Sequence, residues 1–97
     1  MVEQGNIISE ASIRYPLLVV SKNTYNQSGC AIVCPITETN ASDLGYQIDL
    51  NGHSAFVQCD NLRMLNLSQR SWRHLSDIRT VQLVNVLSRI NSIFDIY

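Results

Sequence analysis

The sequence predicts a mainly β domain, a small and strongly bent barrel with a helix added at its C-terminal end. Three observations lead to this prediction. Two short apolar runs flank a polar segment, an Asn-Gly pair joins two further strand-like runs, and the chain from about residue 79 onward has helical periodicity. With 97 residues and no recognisable linker or repeat, the chain is expected to form one domain, residues 1–97.

The two apolar runs, residues 17–20 and 31–34, organise the first half of the chain. Each is short, rich in aliphatic residues and bounded by Pro, Asn, Ser or Gly, which is typical of a buried strand and too short for a helix. We therefore predict strands at residues 17–20 and 30–36, joined by a connection that can include one helical turn. Pro35 fits a strand that leaves the sheet, because proline cannot donate a ladder hydrogen bond.

A hairpin is the strongest local prediction. Residues 46–50 alternate between apolar and polar side chains, and Asn51-Gly52 follows, a pair that accepts the positive φ angles of a type I′ turn. The second arm is then residues 53–59. Because side chains alternate along a strand, two faces are expected. One face carries Phe56, Gln58 and Asp60, and the other carries Ala55, Val57 and Cys59.

The remaining elements are a first strand at residues 5–9, a last short strand at residues 62–67, a turn with a helical fragment at residues 68–75, and the terminal helix from about Arg79. This helix is apolar over a wide arc. The arc comprises Val81, Leu83, Val84, Val86, Leu87, Ile90, Ile93 and Phe94. So much apolar surface favours a homodimer, whereas the alternative is a helix docked wholly within one subunit.

Composition indicates a compact protein, with 45% hydrophobic and 15% charged residues. The N-terminus lacks a signal-peptide pattern and no run is long enough to span a membrane, so a cytoplasmic location is expected. The three cysteines cannot all pair. Cys30 and Cys34 would lie about 13 Å apart on one strand, too far for a disulfide or a shared metal ion, so reduced core thiols are expected.

The charges are distributed unevenly along the chain. Residues 1–62 carry two basic and six acidic side chains, whereas residues 63–97 carry five basic and two acidic ones. A basic patch that attracts phosphates or an acidic protein segment is one interpretation. A solvated surface is the other, and charge alone favours it.

The order of several short motifs resembles the MazF/PemK/Kid family of bacterial toxins, and the Kid/PemK branch most of all. The motifs are Gly5-Asn6-Ile7, Pro16-Leu17-Leu18-Val19-Val20-Ser21, Tyr25-Asn26, Gly29-Cys30-Ala31-Ile32-Val33-Cys34-Pro35-Ile36-Thr37, Gly45-Tyr46, Val57-Gln58-Cys59-Asp60-Asn61-Leu62-Arg63-Met64-Leu65 and Val86-Leu87-Ser88-Arg89-Ile90. They extend over nearly the whole chain.

This resemblance implies an SH3-like β-barrel with a C-terminal α-helix, a homodimer, and a cytoplasmic toxin of a type II toxin–antitoxin system. The implied activity is that of an endoribonuclease that cuts single-stranded RNA at selected sequences without a metal or other cofactor. The substrate's own 2′-hydroxyl is then the nucleophile. A cognate antitoxin protein holds such toxins inactive by occupying the RNA groove.

The resemblance also implies three catalytic residues. Asp60 matches the family aspartate and is interpreted as the general base, the alternative being a carboxylate that caps a turn or pairs with Arg63. Thr37 matches the strand-ending threonine and would hydrogen-bond the scissile phosphate, unless its hydroxyl is satisfied by the backbone. Arg14 is the third, although an ungapped alignment of Pro16 puts Tyr15 at the family's arginine position.

Two departures from the family pattern bear on activity. Gln58 replaces an arginine, and loss of a charged transition-state donor commonly costs about 10²- to 10³-fold in rate. The segment between Ile8 and Pro16 is shorter than the corresponding loop of the family. That loop carries a carboxylate, which Glu10 of this chain would replace only in part.

RNA binding is assigned to Gln58, Arg63, Arg70 and Arg73, with Trp72 either stacking on bases or lying in a core or dimer contact. His53 and His74 are both placed near turns, and neither is assigned to the site.

Two other functions remain open. A catalytically degenerate barrel would bind an antitoxin-like peptide or nucleic acid without cutting RNA. A gyrase poison like CcdB would share the fold, but that branch works through a C-terminal Trp-Gly-Ile, whereas this chain ends Asp95-Ile96-Tyr97.

Overall fold

The computed structural model describes residues 1–94. The chain end Asp95-Ile96-Tyr97, on which the prediction against a gyrase poison was based, lies outside the described residues. In the described range the elements are β1 (Asn6–Glu10), β2 (Leu17–Val19), α1 (Asn23–Asn26), β3 (Cys30–Thr37), β4 (Gly45–Leu50), β5 (His53–Gln58), β6 (Arg63–Asn66), a 3-10 turn (Leu67–Gln69), β7 (Trp72–Asp77) and α2 (Thr80–Ser92).

The strands form one curled, antiparallel half-barrel in the order β4-β5-β3-β2-β1-β7. β3 is the longest strand, and it pairs with β2 along one edge and with β6 and β5 along the other. Its first half pairs with β6, whereas Ile36 and Thr37 pair with Val57 and Phe56 of β5. The predicted mainly β fold with a C-terminal helix is confirmed.

Alternating side chains of the central strands divide the interior into two cores. The first core lies under α2, where Val86 and Ile90 pack against Leu18 and Cys34. The second core lies on the other face of β2 and β3. It contains Val2, Ile8, Leu17, Val19, Ala31, Val33, Leu65 and Leu67. The expected inward face of β5 is also confirmed, since Ala55, Val57 and Cys59 lie in the first core.

One predicted element is wrong. Residues 68–75 were predicted to be a turn with a helical fragment, but the helical part is only the 3-10 turn at Leu67–Gln69. The rest belongs to β7, which pairs antiparallel with β1 and places Trp72 opposite Glu10. His74 therefore lies within a strand and not near a turn.

The predicted hairpin is confirmed, with β4 and β5 paired from Gly45–Gln58 to Leu50–His53. Asn51 and Gly52 have φ angles of 53° and 83°, as a type I′ turn requires.

All three cysteines are free thiols, but Cys30 is only partly buried, so the expectation of core thiols does not hold for it. Cys34 and Cys59 are buried. Burial raises the pKa of Cys34 to about 12, and it also raises the pKa of Cys59, against the opposing effect of Arg89. Both are therefore core side chains with little thiolate character. Neither helix within residues 1–94 combines the length and apolar character needed to cross a membrane.

Candidate active site

Thr37 ends β3 beside β5, and its hydroxyl is hydrogen-bonded on both sides. Gln58 Nε2 donates to Thr37 Oγ1 over 2.8 Å, and Thr37 Oγ1 donates to the Thr39 carbonyl oxygen over 2.8 Å. Thr37 is partly exposed, whereas Gln58 is only 4% exposed. Gln58 is thus placed to hold Thr37, and its burial keeps it from lying on the surface as an RNA contact.

Asp60 lies in the turn after β5 and is exposed. Ser42 Oγ donates to Asp60 Oδ2 over 2.8 Å. The alternative pairing with Arg63 is not observed, since the ion pairs among residues 1–94 are Arg70–Glu10 and His74–Asp77. The carboxylate is therefore held by a neutral donor and remains accessible to solvent.

Residues 38–44, the β3–β4 loop, connect the two candidate catalytic side chains. Thr39 of this loop accepts from Thr37, and Ser42 of the same loop donates to Asp60. The loop packs closely against Gly45, where a Cβ atom would collide with the Asn40 side chain. Gly45 in turn pairs in register with Gln58. Any larger residue at position 45 would therefore require the Asn40 side chain to move.

Arg89 reaches this region from α2 and was not assigned to the site from sequence. Its Nη1 donates to the Gly45 carbonyl oxygen over 2.8 Å, and its guanidinium carbon lies 5.1 Å from the centre of the Tyr46 ring. Its charge also reaches Cys59, whose pKa it acts to lower. Arg89 belongs to one of the motifs that carry the family resemblance, but its position beside β4 follows only from how α2 packs on the sheet.

Arg14 and Tyr15 lie near the end of β3. The Pro16 carbonyl oxygen accepts from Ile36 N, which is one residue before Thr37. Both side chains are exposed, and Tyr15 is 46% exposed. The chain thus brings Arg14 and Tyr15 to the same end of the sheet as Thr37.

Arg70 is paired with Glu10, which is 4% exposed. Glu10 also accepts from the backbone N–H and the hydroxyl of Ser12. The Ser12 N–H and the Arg70 guanidinium hold the pKa of Glu10 below its usual range. Both charges are therefore engaged with each other, and the structure places Glu10 inside the fold and not at the candidate active site.

The other candidate residues are spread over different elements. Arg63 begins β6 and is exposed opposite Val33, whereas Arg73 lies on the outer strand β7. Trp72 packs against the second core. The structure therefore does not gather Arg63, Arg70 and Arg73 on one element.

The two histidines lie away from Thr37. His53 follows the hairpin turn, and His74 Nε2 is 2.9 Å from Asp77 Oδ1. Within residues 1–94, no group of three or more His, Cys, Asp or Glu side chains is arranged to hold a metal ion.

The chemical capacity of this site comes from a hydroxyl, a carboxylate and nearby guanidinium groups. Asp60 can accept a proton, and Thr37 can donate a hydrogen bond to an anion if it releases the Thr39 carbonyl. Arg89 supplies positive charge beside Cys59, the residue before Asp60, and Arg14 is exposed two residues before Pro16, whose carbonyl oxygen accepts from Ile36 N. These are the kinds of group that cleavage of a phosphodiester by an internal hydroxyl requires.

Solved structures of known toxins share this fold. The chain superimposes on the toxin fold in the MazE–MazF Form-II structure from Deinococcus radiodurans with a TM-score of 0.84, at 23% identity over 99% of this chain and 97% of the other. For Mycobacterium tuberculosis toxin MazF-mt6 the TM-score is 0.75, at 19% identity over 96% and 98%. An endoribonuclease in complex with its cognate antitoxin from a mycobacterial species gives 0.82, at 14% identity over 97% and 95%.

No curated protein matches the chain significantly in a sequence comparison. A family model described as "PemK-like, MazF-like toxin of type II toxin-antitoxin system" matches residues 4–94. Assignment to the Kid/PemK branch in particular stays a prediction. The chain therefore belongs to the family of PemK-like, MazF-like toxins of type II toxin–antitoxin systems.

Proposed function

We propose that this toxin is a sequence-selective endoribonuclease that cleaves single-stranded RNA through attack of the 2′-hydroxyl, without a metal ion. The observation that supports this most is the shared loop. Thr37 and Asp60 come from different strands, and both are hydrogen-bonded to residues 38–44. A loop that holds both side chains gives a phosphodiester a hydroxyl donor and a carboxylate base in one region.

In this mechanism Asp60 takes the proton from the attacking 2′-hydroxyl. Ser42 already donates to Oδ2, so Oδ1 is the oxygen that we assign to the base. Thr37 donates to a phosphate oxygen, and the Arg14 guanidinium balances the charge that develops on the phosphorus oxygens. The 2′-oxygen forms the new bond to phosphorus as the bond from phosphorus to the 5′-oxygen of the next nucleotide breaks, which leaves a 2′,3′-cyclic phosphate, and the departing 5′-oxygen takes up a proton from water.

The test is digestion of a long single-stranded RNA in EDTA by purified wild-type, Thr37→Val and Asp60→Asn proteins. We expect cleavage at a short recurring sequence by the wild type and a loss of about 10²-fold or more in each variant. Asp49→Asn is the matched control, because Asp49 is an exposed carboxylate near the far end of β4. Intact RNA with the wild type, or equal cleavage by all four proteins, would contradict the proposal.

A catalytically degenerate binding module is the second candidate. It is favoured by Gln58, a neutral residue at the position where the family resemblance expects a cation. A protein of this kind would retard RNA or an antitoxin peptide in a gel and leave the RNA uncut. Mapped RNA ends at one recurring sequence would dispose of this candidate.

We further propose a homodimer. α2 presents Val81 and Val84 at 66% and 58% exposure, and Arg89 is the only charged residue in Thr80–Ser92. An uncharged outer face on a surface helix favours contact with another protein surface.

The second proposed partner is a cognate antitoxin, by analogy with the MazE–MazF structure from Deinococcus radiodurans. It would hold the toxin inactive in the cytoplasm. Inhibition of RNA cleavage by an antitoxin encoded beside this toxin is the expected result, and unchanged cleavage at saturating antitoxin would count against the pairing.

A further inference from the structure

Gln58 occupies an unusual position for a residue of its type. It is 4% exposed on β5, and its Nε2 donates to Thr37 Oγ1 over 2.8 Å. Among residues 1–94, its other polar atom, Oε1, is buried without a hydrogen-bond partner. The side chain therefore uses one of its two polar ends, and it uses that end on Thr37.

The direction of this hydrogen bond decides what Thr37 can do. Since the amide nitrogen donates to Oγ1, the hydroxyl oxygen acts as an acceptor toward β5, and its single proton must point elsewhere. In the free protein that proton goes to the Thr39 carbonyl oxygen. An ionised phosphodiester has no proton to donate, so Thr37 can bind one only by presenting this proton.

We infer that Gln58 is a positioning residue that keeps the Thr37 hydroxyl a donor toward substrate. This inference rests on the proposed ribonuclease function. A phosphate oxygen takes the place of the Thr39 carbonyl as acceptor, and Gln58 keeps the oxygen side of the hydroxyl occupied throughout. The burial of Gln58, which is 4% exposed, strengthens the bond, because water has little access to its amide group.

This role differs from the one assigned from sequence. There Gln58 was an RNA contact in place of an arginine. A side chain that is 4% exposed and bonded to Thr37 acts on RNA through Thr37 instead. No positive charge is supplied at position 58, so Gln58 sets geometry, and charge compensation is left to the exposed arginines.

The experiment is a double-mutant cycle with Gln58→Met and Thr37→Val, measured by single-turnover cleavage of long RNA in EDTA. Gln58→Met keeps the side-chain length and removes the donor. We expect it to lower the cleavage rate about 10- to 100-fold in the wild-type background and to have less than about a twofold effect in the Thr37→Val background. Gln58→Glu, which when ionised accepts the Thr37 proton and so reverses the hydrogen bond, should lower the rate at least as much as Gln58→Met. Gln47→Met is the matched control, because Gln47 is exposed on β4 and bonded to Ser54.

The outcomes separate this role from its alternatives. An equal loss in both backgrounds would overturn the inference, since Gln58 would then act independently of Thr37. A loss that follows a lower melting temperature would overturn it as well. Where Thr37→Val has no measurable activity, the same four proteins are compared by affinity for a 2′-O-methyl RNA pool, and additive effects there would again overturn it. A wild type that leaves RNA intact would remove the proposed function itself, and this role with it.

Discussion

At the scale of single residues, the candidate active site is held by polar contacts that a substrate must exchange. The Thr37 proton is bonded to Thr39, and the Asp60 carboxylate is bonded to Ser42. Each donor is a neutral hydroxyl and each contact is exposed to solvent, so exchanging either hydrogen bond for one to a ligand has a modest net free energy. The β3–β4 loop can therefore hold the two side chains without preventing them from binding a ligand.

Glu10 shows the opposite behaviour, since it is buried and paired. Because the Ser12 N–H and Arg70 lower its pKa in the folded protein, ionised Glu10 stabilises the fold above the ordinary glutamate pKa. That stabilisation is lost as pH falls through the lowered value. We expect Glu10→Gln to lower the urea midpoint at pH 7 and to have a smaller effect with each step toward acid pH.

Glu3→Gln is the control for this experiment, because Glu3 is exposed and its carboxylate makes no ion pair among the described residues. Its urea midpoint should match that of the wild type at every pH. A Glu10→Gln difference that is constant with pH would show that the ionised carboxylate does not cause it.

At the scale of elements, the sequence located strands wherever burial imposes a pattern. β2 and β3 are buried runs, and β4 and β5 are joined by Asn-Gly, so their limits were predicted to within one residue. β7 was missed because it is an outer strand whose side chains are mostly exposed. Its residues are fixed by backbone pairing with β1, and backbone pairing leaves no hydrophobic period in the sequence.

The candidate site was predictable to a smaller extent. Thr37 and Asp60 were assigned to the candidate site through the family resemblance, and that assignment stays a prediction. The contacts of Ser42 and Arg89 could not be found, because each depends on how separate elements dock. The burial of Gln58 also escaped prediction, since alternation assigned it to the polar face of β5. In the structure residues 38–44 pack against Gly45 of β4, the residue paired with Gln58, and alternation along β5 alone does not reveal this packing.

The hairpin turn offers a test of backbone conformation in isolation. Gly52 has a φ of 83°, and an added Cβ would meet nothing within 4 Å. Any cost of Gly52→Ala must therefore come from the left-handed backbone, and we expect about 1–2 kcal/mol in urea unfolding. Asn51→Gly is the matched control, because it removes a side chain from a residue with a φ of 53°. We expect it to change the free energy of unfolding very little. Equal stability of Gly52→Ala and the wild type would mean that the turn adopts another conformation.

At the scale of the whole molecule, the uneven charge of the sequence does not produce one continuous basic element. The arginines of the C-terminal part lie on β6, next to Glu10, on β7, at the start of α2 and beside Tyr46. Apolar surface, in contrast to basic charge, is concentrated in one place, on and beside α2. A groove of about 540 Å³ beside α2 is lined by Ile32, Leu62, Leu87, Ile90 and Phe94, among others.

Phe94 and Ile93 add to this surface, since they remain 64% and 42% exposed at the end of α2. A domain of 97 residues buries only roughly 60–65% of its unfolded surface, so covering this face would stabilise the fold appreciably. Val81 and Val84 lie on the outer side of the same helix. Association of two copies through α2 would therefore remove apolar surface that one chain cannot cover itself.

We therefore expect Val84→Asp to shift the protein from the proposed dimer to a monomer in sedimentation velocity. A buried, unpaired carboxylate at a contact costs several kcal/mol, which exceeds what a small interface can offset. Gln69→Asp introduces the same charge at an exposed position in the 3-10 turn and should leave the dimer intact. If the wild type sediments as a monomer at micromolar concentration, or if Val84→Asp remains as dimeric as Gln69→Asp, then α2 does not form the contact between subunits.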